Sequence, residues 1–219
     1  MSVVTIERKV LEKNDQLAAA NRDALTRHGV FAINLVSSPG AGKTTLLERT
    51  IAALDGRLRL SVVEGDVQTD LDAQRVARYG VPVIQIVTNG GCHLEARLVR
   101  DALEQFDLGA TDVLVIENVG NLVCPANFDL GEDMKVVVLS VTEGDDKPLK
   151  YPAMFQRASA LVINKVDLVP YVDADVSAIR RHARLANPDL QIFETSCRTG
   201  DGIAEWADWL AAQAARRRA

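Results

Sequence analysis

Residues 30–47 read Val30-Phe31-Ala32-Ile33-Asn34-Leu35-Val36-Ser37-Ser38-Pro39-Gly40-Ala41-Gly42-Lys43-Thr44-Thr45-Leu46-Leu47. An apolar run, a stretch of small residues and then helix formers give the strand, loop and helix order that a phosphate-binding loop requires. Gly40, Ala41 and Gly42 let backbone N–H groups close around phosphates, Lys43 reaches the terminal phosphates, and Thr44, followed by Thr45, offers a hydroxyl to magnesium. One position departs from the usual loop: Ser37 stands where a first glycine is common, so the chain enters the loop without glycine's freedom there.

A second string, Asn164-Lys165-Val166-Asp167, closes a later apolar run. The Asp167 carboxylate can accept from the N1–H and exocyclic amine of guanine, a donor pair that adenine lacks. Either string alone could be a solvated lysine or an ordinary turn after a strand. Together they imply a guanine nucleotide, GTP or GDP. Ser196-Cys197-Arg198-Thr199-Gly200 lies near the last predicted strand, where Ser196 and Cys197 can back the base.

Outward from these strings, strands and helices alternate. Helices are expected over Val10–Arg27, Lys43–Leu54, Asp70–Tyr79, His93–Gln105, Tyr151–Ala158, Val176–Leu185 and Ile203–Ala215, with Gly29 placed to cap the first. Strands are expected over Leu58–Glu64, Val81–Val87, Val113–Glu117, Lys135–Val141, Leu161–Ile163 and Ile192–Glu194. That alternation predicts an α/β fold, a mostly parallel sheet with helices on both faces and ligands at the carboxyl ends of its strands.

The chain of 219 residues suits a helical extension over 1–29 and one globular domain over 30–219. A net charge of −5 argues against non-specific nucleic-acid binding, and Arg216-Arg217-Arg218 reads as a frayed, solvated tail. The longest apolar stretches, such as Met134–Val141, are strand-length and no apolar leader is evident, so a cytoplasmic protein with no membrane span is expected. Three cysteines cannot all pair, and a reducing compartment leaves Cys92, Cys124 and Cys197 as core thiols, ligands or nucleophiles.

The strand ending at Glu117 is followed by Asn118-Val119-Gly120. Glu117 stands where many nucleotide hydrolases carry a magnesium-orienting aspartate, and Gly120 can offer its N–H to a γ-phosphate. Asp66, Asp70 and Asp72 follow the second strand in reach of the nucleotide, with Asp70 equally suited to cap the next helix. Asn121 replaces the glutamine that orients water in small GTPases and no arginine finger is evident, so slow turnover is expected from Lys43, magnesium and one acid.

Cys92 and His93 are adjacent at the start of a predicted helix, whose N-terminus favours a thiolate, and Cys124 follows another strand end. Such ligands suit zinc or nickel, and three of them leave a position for water, a partner or a second copy of the chain. Buried cysteine as plain core filler is the competing reading.

The chain resembles the HypB hydrogenase-maturation GTPases from about Leu11-Glu12-Lys13-Asn14 to the final helix. The likeness includes Ser37-Ser38-Pro39-Gly40, Gly91-Cys92-His93-Leu94, Glu117-Asn118-Val119-Gly120-Asn121-Leu122-Val123-Cys124-Pro125, Phe128-Asp129-Leu130-Gly131-Glu132 and Ser140-Val141-Thr142-Glu143-Gly144. The resemblance implies a P-loop GTPase of the SIMIBI type, a nickel or zinc site at Cys92, His93 and Cys124, and a first switch containing Asp66 and Asp72. It further implies a GTP-favoured homodimer, with Leu168 and Val172 as contact candidates, serving hydrogenase maturation proteins and a hydrogenase large subunit. Residues 1–27 carry no cysteine or histidine, so the N-terminal nickel store of many members is missing from them. The alternatives are a GTPase for another metalloenzyme, as in the UreG group, whose Cys-Pro-His string this chain lacks, and a nucleotide-controlled docking protein without a metal.

Overall fold

In the computed structural model, residues 6–68 and 70–218 are described, with side chains from residue 10 onward. The elements run α1 (Ile6–Arg27), β1 (Phe31–Ser37), α2 (Lys43–Leu54), β2 (Leu60–Asp66), α3 (Leu71–Ala77), β3 (Val83–Val87), α4 (Ala96–Leu103), β4 (Val113–Glu117), β5 (Met134–Ser140), α5 (Lys147–Lys150), α6 (Pro152–Arg157), β6 (Ala160–Asn164), α7 (Val176–Ala186), β7 (Gln191–Thr195) and α8 (Ile203–Arg218). The strands form one sheet in the order β3-β2-β4-β1-β5-β6-β7, and every pairing is parallel. A parallel sheet covered on both faces needs strands that are apolar on both sides. β1, β4 and β6 meet that condition, being buried at every position.

Alternate strand residues feed opposite layers. Ile33, Leu35, Val113, Val115 and Val136 pack with Leu46, Leu47 and Leu54 of α2, Val76 of α3, and Trp206 and Leu210 of α8. Their neighbours Ala32, Leu114 and Ile116 pack with Leu25 of α1 and Val99 and Leu103 of α4, while Val137, Leu139 and Leu161 meet Met154, Phe155 and Ile179 of α6 and α7. Trp206 is 1% exposed, stands edge-on to Phe193 and donates its Nε1–H to Thr50 Oγ1 at 2.9 Å. It fixes α8 against the helix that begins at Lys43, and truncating so large a buried side chain costs about 3–5 kcal/mol.

The N-terminal helix packs on the sheet layer rather than standing free. Asn21 Nδ2 donates to the carbonyls of Ala96 and Leu130, and Asn14 bridges the Ala96 N–H and the Asp129 carbonyl. Residues 1–5 of the expected extension lie outside the described residues. The expected frayed tail is corrected: Arg217 pairs with Asp133 at 3.2 Å and Arg218 with Asp112, which keeps α8 helical to Arg218. Among the described residues, no helix is long and apolar enough to cross a membrane.

Candidate functional site

β1 lies at the centre of the sheet, between β4 and β5, and its carboxyl end opens into the phosphate loop. Gly40 and Gly42 have φ of +77° and +96°, which sets the loop's reversal and places Lys43 at the first turn of α2. A Cβ on Gly42 would stand 2.6 Å from Asn164 Nδ2, so glycine is needed for space as well as for conformation. Ser37 compensates for the missing first glycine without a left-handed backbone: its hydroxyl donates to the Ser38 carbonyl at 2.6 Å and accepts from Lys43 Nζ at 3.0 Å.

A cavity of about 520 Å³ opens over this loop, lined by Gly40, Gly42, Lys43, Thr44 and Thr45 on one side and by Glu64, Asp66, Asp72, Glu117, Asn118 and Gly120 on the other. Thr44 Oγ1 donates to Glu117 Oε1 at 2.8 Å, and Lys43 Nζ lies 3.9 Å from the same oxygen. Burial pushes the Glu117 carboxyl up, against the pull of Lys43 and the Thr44 hydrogen bond. Glu64, opposite Glu117 in the β2–β4 register, is pushed up to about 11 by burial and by the Glu117 charge. Burial and mutual repulsion thus both favour a proton shared by the pair. The Oε2 atoms of both residues are buried without a hydrogen-bond partner. Once that proton is displaced, two orphaned carboxylate oxygens beside a threonine hydroxyl are a hard-oxygen donor set, which suits magnesium.

Two cavity residues have no local signal in the sequence. Glu64 lines the cavity because β2 runs past it to Asp66 and sets it opposite Glu117. Arg75 enters the cavity wall from α3 while held by Glu48 at 2.8 Å and Asp72 at 3.0 Å. Asp70 sits at the N-cap position of α3 without a side-chain cap bond, and it does not line the cavity. Asn121 does not line the cavity and accepts from the Val123 N–H at 2.7 Å, capping the turn that leads to Cys124. Gly120 meets the loop itself, since a Cβ there would lie 3.1 Å from Pro39.

A second cavity of about 320 Å³ adjoins the first and shares Gly42, Thr45 and Lys165 with it. Asp167, Asn164, Leu168 and Cys197, with Arg49 and Arg198, complete its walls. Asn164 Nδ2 donates to the Ala41 carbonyl at 3.0 Å, and Lys165 Nζ to the Gly40 carbonyl at 2.7 Å. Ser196 Oγ donates to Asp167 Oδ1 at 2.6 Å, and the Cys197 thiol donates to Asn164 Oδ1. The two distant strings thus become one groove, with a base-sized recess beside a phosphate-sized one. Leu168 and Val172 are half-buried against the Met154 layer.

The third group lies beside the phosphate cavity. One ligand atom each from Cys92, His93 and Cys124 falls within 4.8 Å of the others. The His93 ring lies against Phe128 with centroids 4.0 Å apart, and its Nε2 is buried without a partner. Burial lowers the His93 pKa, which favours the neutral ring, the form that ligates. The expected helix-assisted thiolate is corrected: α4 begins at Ala96, beyond the pair, and hydrogen bonding with Cys124 followed by burial pushes the Cys92 thiol up. A metal must displace that proton. Cys197 stands apart at the base recess, as expected.

These features define a P-loop nucleotide-binding protein of the α/β class with a thiol and imidazole cluster at the edge of its phosphate site. A sequence model of the CobW/HypB/UreG nucleotide-binding domain matches residues 31–194. The chain belongs to the HypB hydrogenase maturation factor family. It is 52% identical over 215 residues to hydrogenase maturation factor HypB of Azotobacter vinelandii, covering 98% of this chain and 71% of that one. The crystal structure of HypB from Archaeoglobus fulgidus superposes with a TM-score of 0.87 at 43% identity, covering 93% of this chain and 99% of that one. The crystal structure of HypB from Helicobacter pylori in complex with nickel gives a TM-score of 0.89 at 40% identity, covering 94% and 97%.

Proposed function

We propose that this chain hydrolyses GTP and carries nickel, with zinc as the competing ion, for maturation of a [NiFe] hydrogenase. The observation that carries this reading is the rooting of Cys124 in the loop that leaves the nucleotide cavity at Glu117 and Asn118, and its convergence with Cys92 and His93. The loop residues Gly40 to Thr45 and Lys43 hold the phosphates, Asn164, Lys165, Asp167, Ser196 and Cys197 form the base recess, and Gly120 approaches the γ-phosphate position. Thr44, Asp66 and Glu117 hold magnesium, joined by Glu64, whose orphaned oxygen faces the same space. When bound, magnesium neutralises charge on the β- and γ-phosphates.

Asp66 and Asp72 both line the cavity and are the acids in reach of an attacking water. Asp72 acts through Arg75, whose guanidinium is already neutralised by Asp72 and Glu48 and so makes a weak electrostatic aid. With Asn121 spent on the Cys124 turn, turnover is slow, far from the gain of about 10³ to 10⁵ that an added arginine finger supplies. Nickel is cargo: Cys92, His93 and Cys124 supply three ligands, and a fourth comes from water, a recipient protein or a second copy in a GTP-favoured dimer. The partners are other maturation proteins and the hydrogenase large subunit. Nickel affinity measured by dye competition with GDP and with a non-hydrolysable GTP analogue, each with magnesium, tests the reading. A difference supports it; equal affinities overturn the coupling.

A further inference from the structure

We infer that Asn118 and Asn34 are positioning residues that carry nucleotide state to the metal cluster through a buried, directional hydrogen-bond chain. Asn118 lines the phosphate cavity next to Glu117. Its Oδ1 accepts from the Leu94 N–H at 3.0 Å, one residue beyond His93, and from the Val119 N–H at 3.0 Å. Its Nδ2 donates to Asn34 Oδ1 at 3.2 Å, and Asn34 Nδ2 donates to Glu132 Oε1 at 3.1 Å. Glu132 pairs with Lys135 at 3.2 Å, and Lys135 Nζ donates to the carbonyls of Pro125 at 3.1 Å and Phe128 at 2.9 Å. Pro125 directly follows Cys124, and Phe128 packs on His93.

Asn118 thus reaches both halves of the cluster. One arm is direct, to the backbone beside His93; the other crosses β1 through Asn34 to the carbonyls beside Cys124. Exposure of Asn34, Asn118, Glu132 and Lys135 is 0%, 1%, 7% and 7%, so water cannot replace a lost link cheaply. The amide orientations are fixed. Turning Asn118 over would face its NH₂ against two N–H groups, and Asn34 must then present its own donors to Glu132. A shift of the residue 117–120 segment around a γ-phosphate cannot leave both arms unstrained, because a buried polar chain has few alternative pairings.

Proximity alone does not demonstrate coupling, so the test is a linkage measurement. It rests on the proposed nucleotide-dependent metal affinity and separates its own failure from that one. Nickel affinity is measured with GDP and with the non-hydrolysable GTP analogue for wild type, Asn34→Ala and Asn118→Ala, with GDP affinity and thermal unfolding as controls. In wild type the ratio of the two nickel affinities falls in the range of linked sites, about 5- to 150-fold. Asn34→Ala, which touches neither ligand, keeps its GDP affinity and loses part of the ratio; Asn118→Ala, which cuts both arms, brings it to about unity. Asn118→Asp, retaining the acceptor for Leu94 but not the donor to Asn34, matches Asn34→Ala. A folded Asn34→Ala that keeps the full wild-type ratio overturns the chain while leaving the proposed function standing. A wild-type ratio of unity overturns both.

Discussion

The Glu64–Glu117 pair sets a measurable pH dependence on folding. Glu64 is pushed up to about 11 in the folded protein, far above its unfolded value of about 4.3. Between those limits Glu64 binds about one proton more in the native state than in the unfolded chain, so its own contribution to stability is greatest at low pH and falls as pH rises. One extra proton corresponds at most to a slope on the order of 1 kcal/mol per pH unit, or on the order of 2–3 kcal/mol from pH 6 to pH 8. For a protein of this size each kcal/mol moves Tm by about 2–4 °C, giving a shift of about 5–10 °C. Water entering the open cavity softens the repulsion, so the full slope is an upper bound. Glu64→Gln presents a neutral amide in place of the protonated carboxyl and removes the dependence. The assay is thermal unfolding of nucleotide-free protein in chelator at pH 6, 7 and 8, with the difference between variant and wild type plotted so that His93 and other groups cancel. The variant should gain on wild type as pH rises. Parallel curves across that range would show that Glu64 is ionised in the native state and refute the reasoning.

Gly42→Ala strains a left-handed position by about 1–2 kcal/mol and drives its methyl group into Asn164, so nucleotide affinity by fluorescence titration should fall tenfold or more, on the order of a lost buried hydrogen bond plus strain. Asp167→Ala removes two charge-assisted acceptors; at about 1.5–3 kcal/mol per bond, competition binding should show the guanine preference over adenine reduced by at least about a hundredfold. Burial raises the Asp112 carboxyl, yet hydrogen bonds from Arg59 and Arg218 outweigh it and hold the group well below the usual range. Its stabilisation is therefore present above about pH 4 and lost as pH falls further, and Asp112→Asn should flatten the acid limb of the unfolding curve.

Strings whose geometry is local were legible from the residues alone. The phosphate loop needs only consecutive small residues between a strand and a helix, and the guanine string only a carboxylate after a strand, so both were readable without knowing what lay beside them. The alternation of strands and helices likewise fixed a parallel sheet. Helix α4 shows the opposite case. The residues from His93 onward have helical character, but the Leu94 N–H is taken by Asn118 and the Ala96 N–H by Asn14, so the helix begins at Ala96. Those bonds span 24 and 82 positions in the chain, and no local pattern announces them.

The same distinction separates the parts of the site. Lys43, Thr44, Asp167 and the cysteines and histidine stood out as candidates by type and spacing, and the fold gathers them into two adjoining cavities and one cluster. Glu64 and Asn118 did not, for a glutamate at a strand end and an asparagine after one are ordinary residues until the sheet sets them beside Glu117, Leu94 and Asn34. Sequence determined which chemical groups this protein possesses and the order of its elements. Only the fold decided which two carboxyls are buried side by side and which amide bridges Leu94 and Asn34, since burial and hydrogen-bond partnership are properties of neighbours in space.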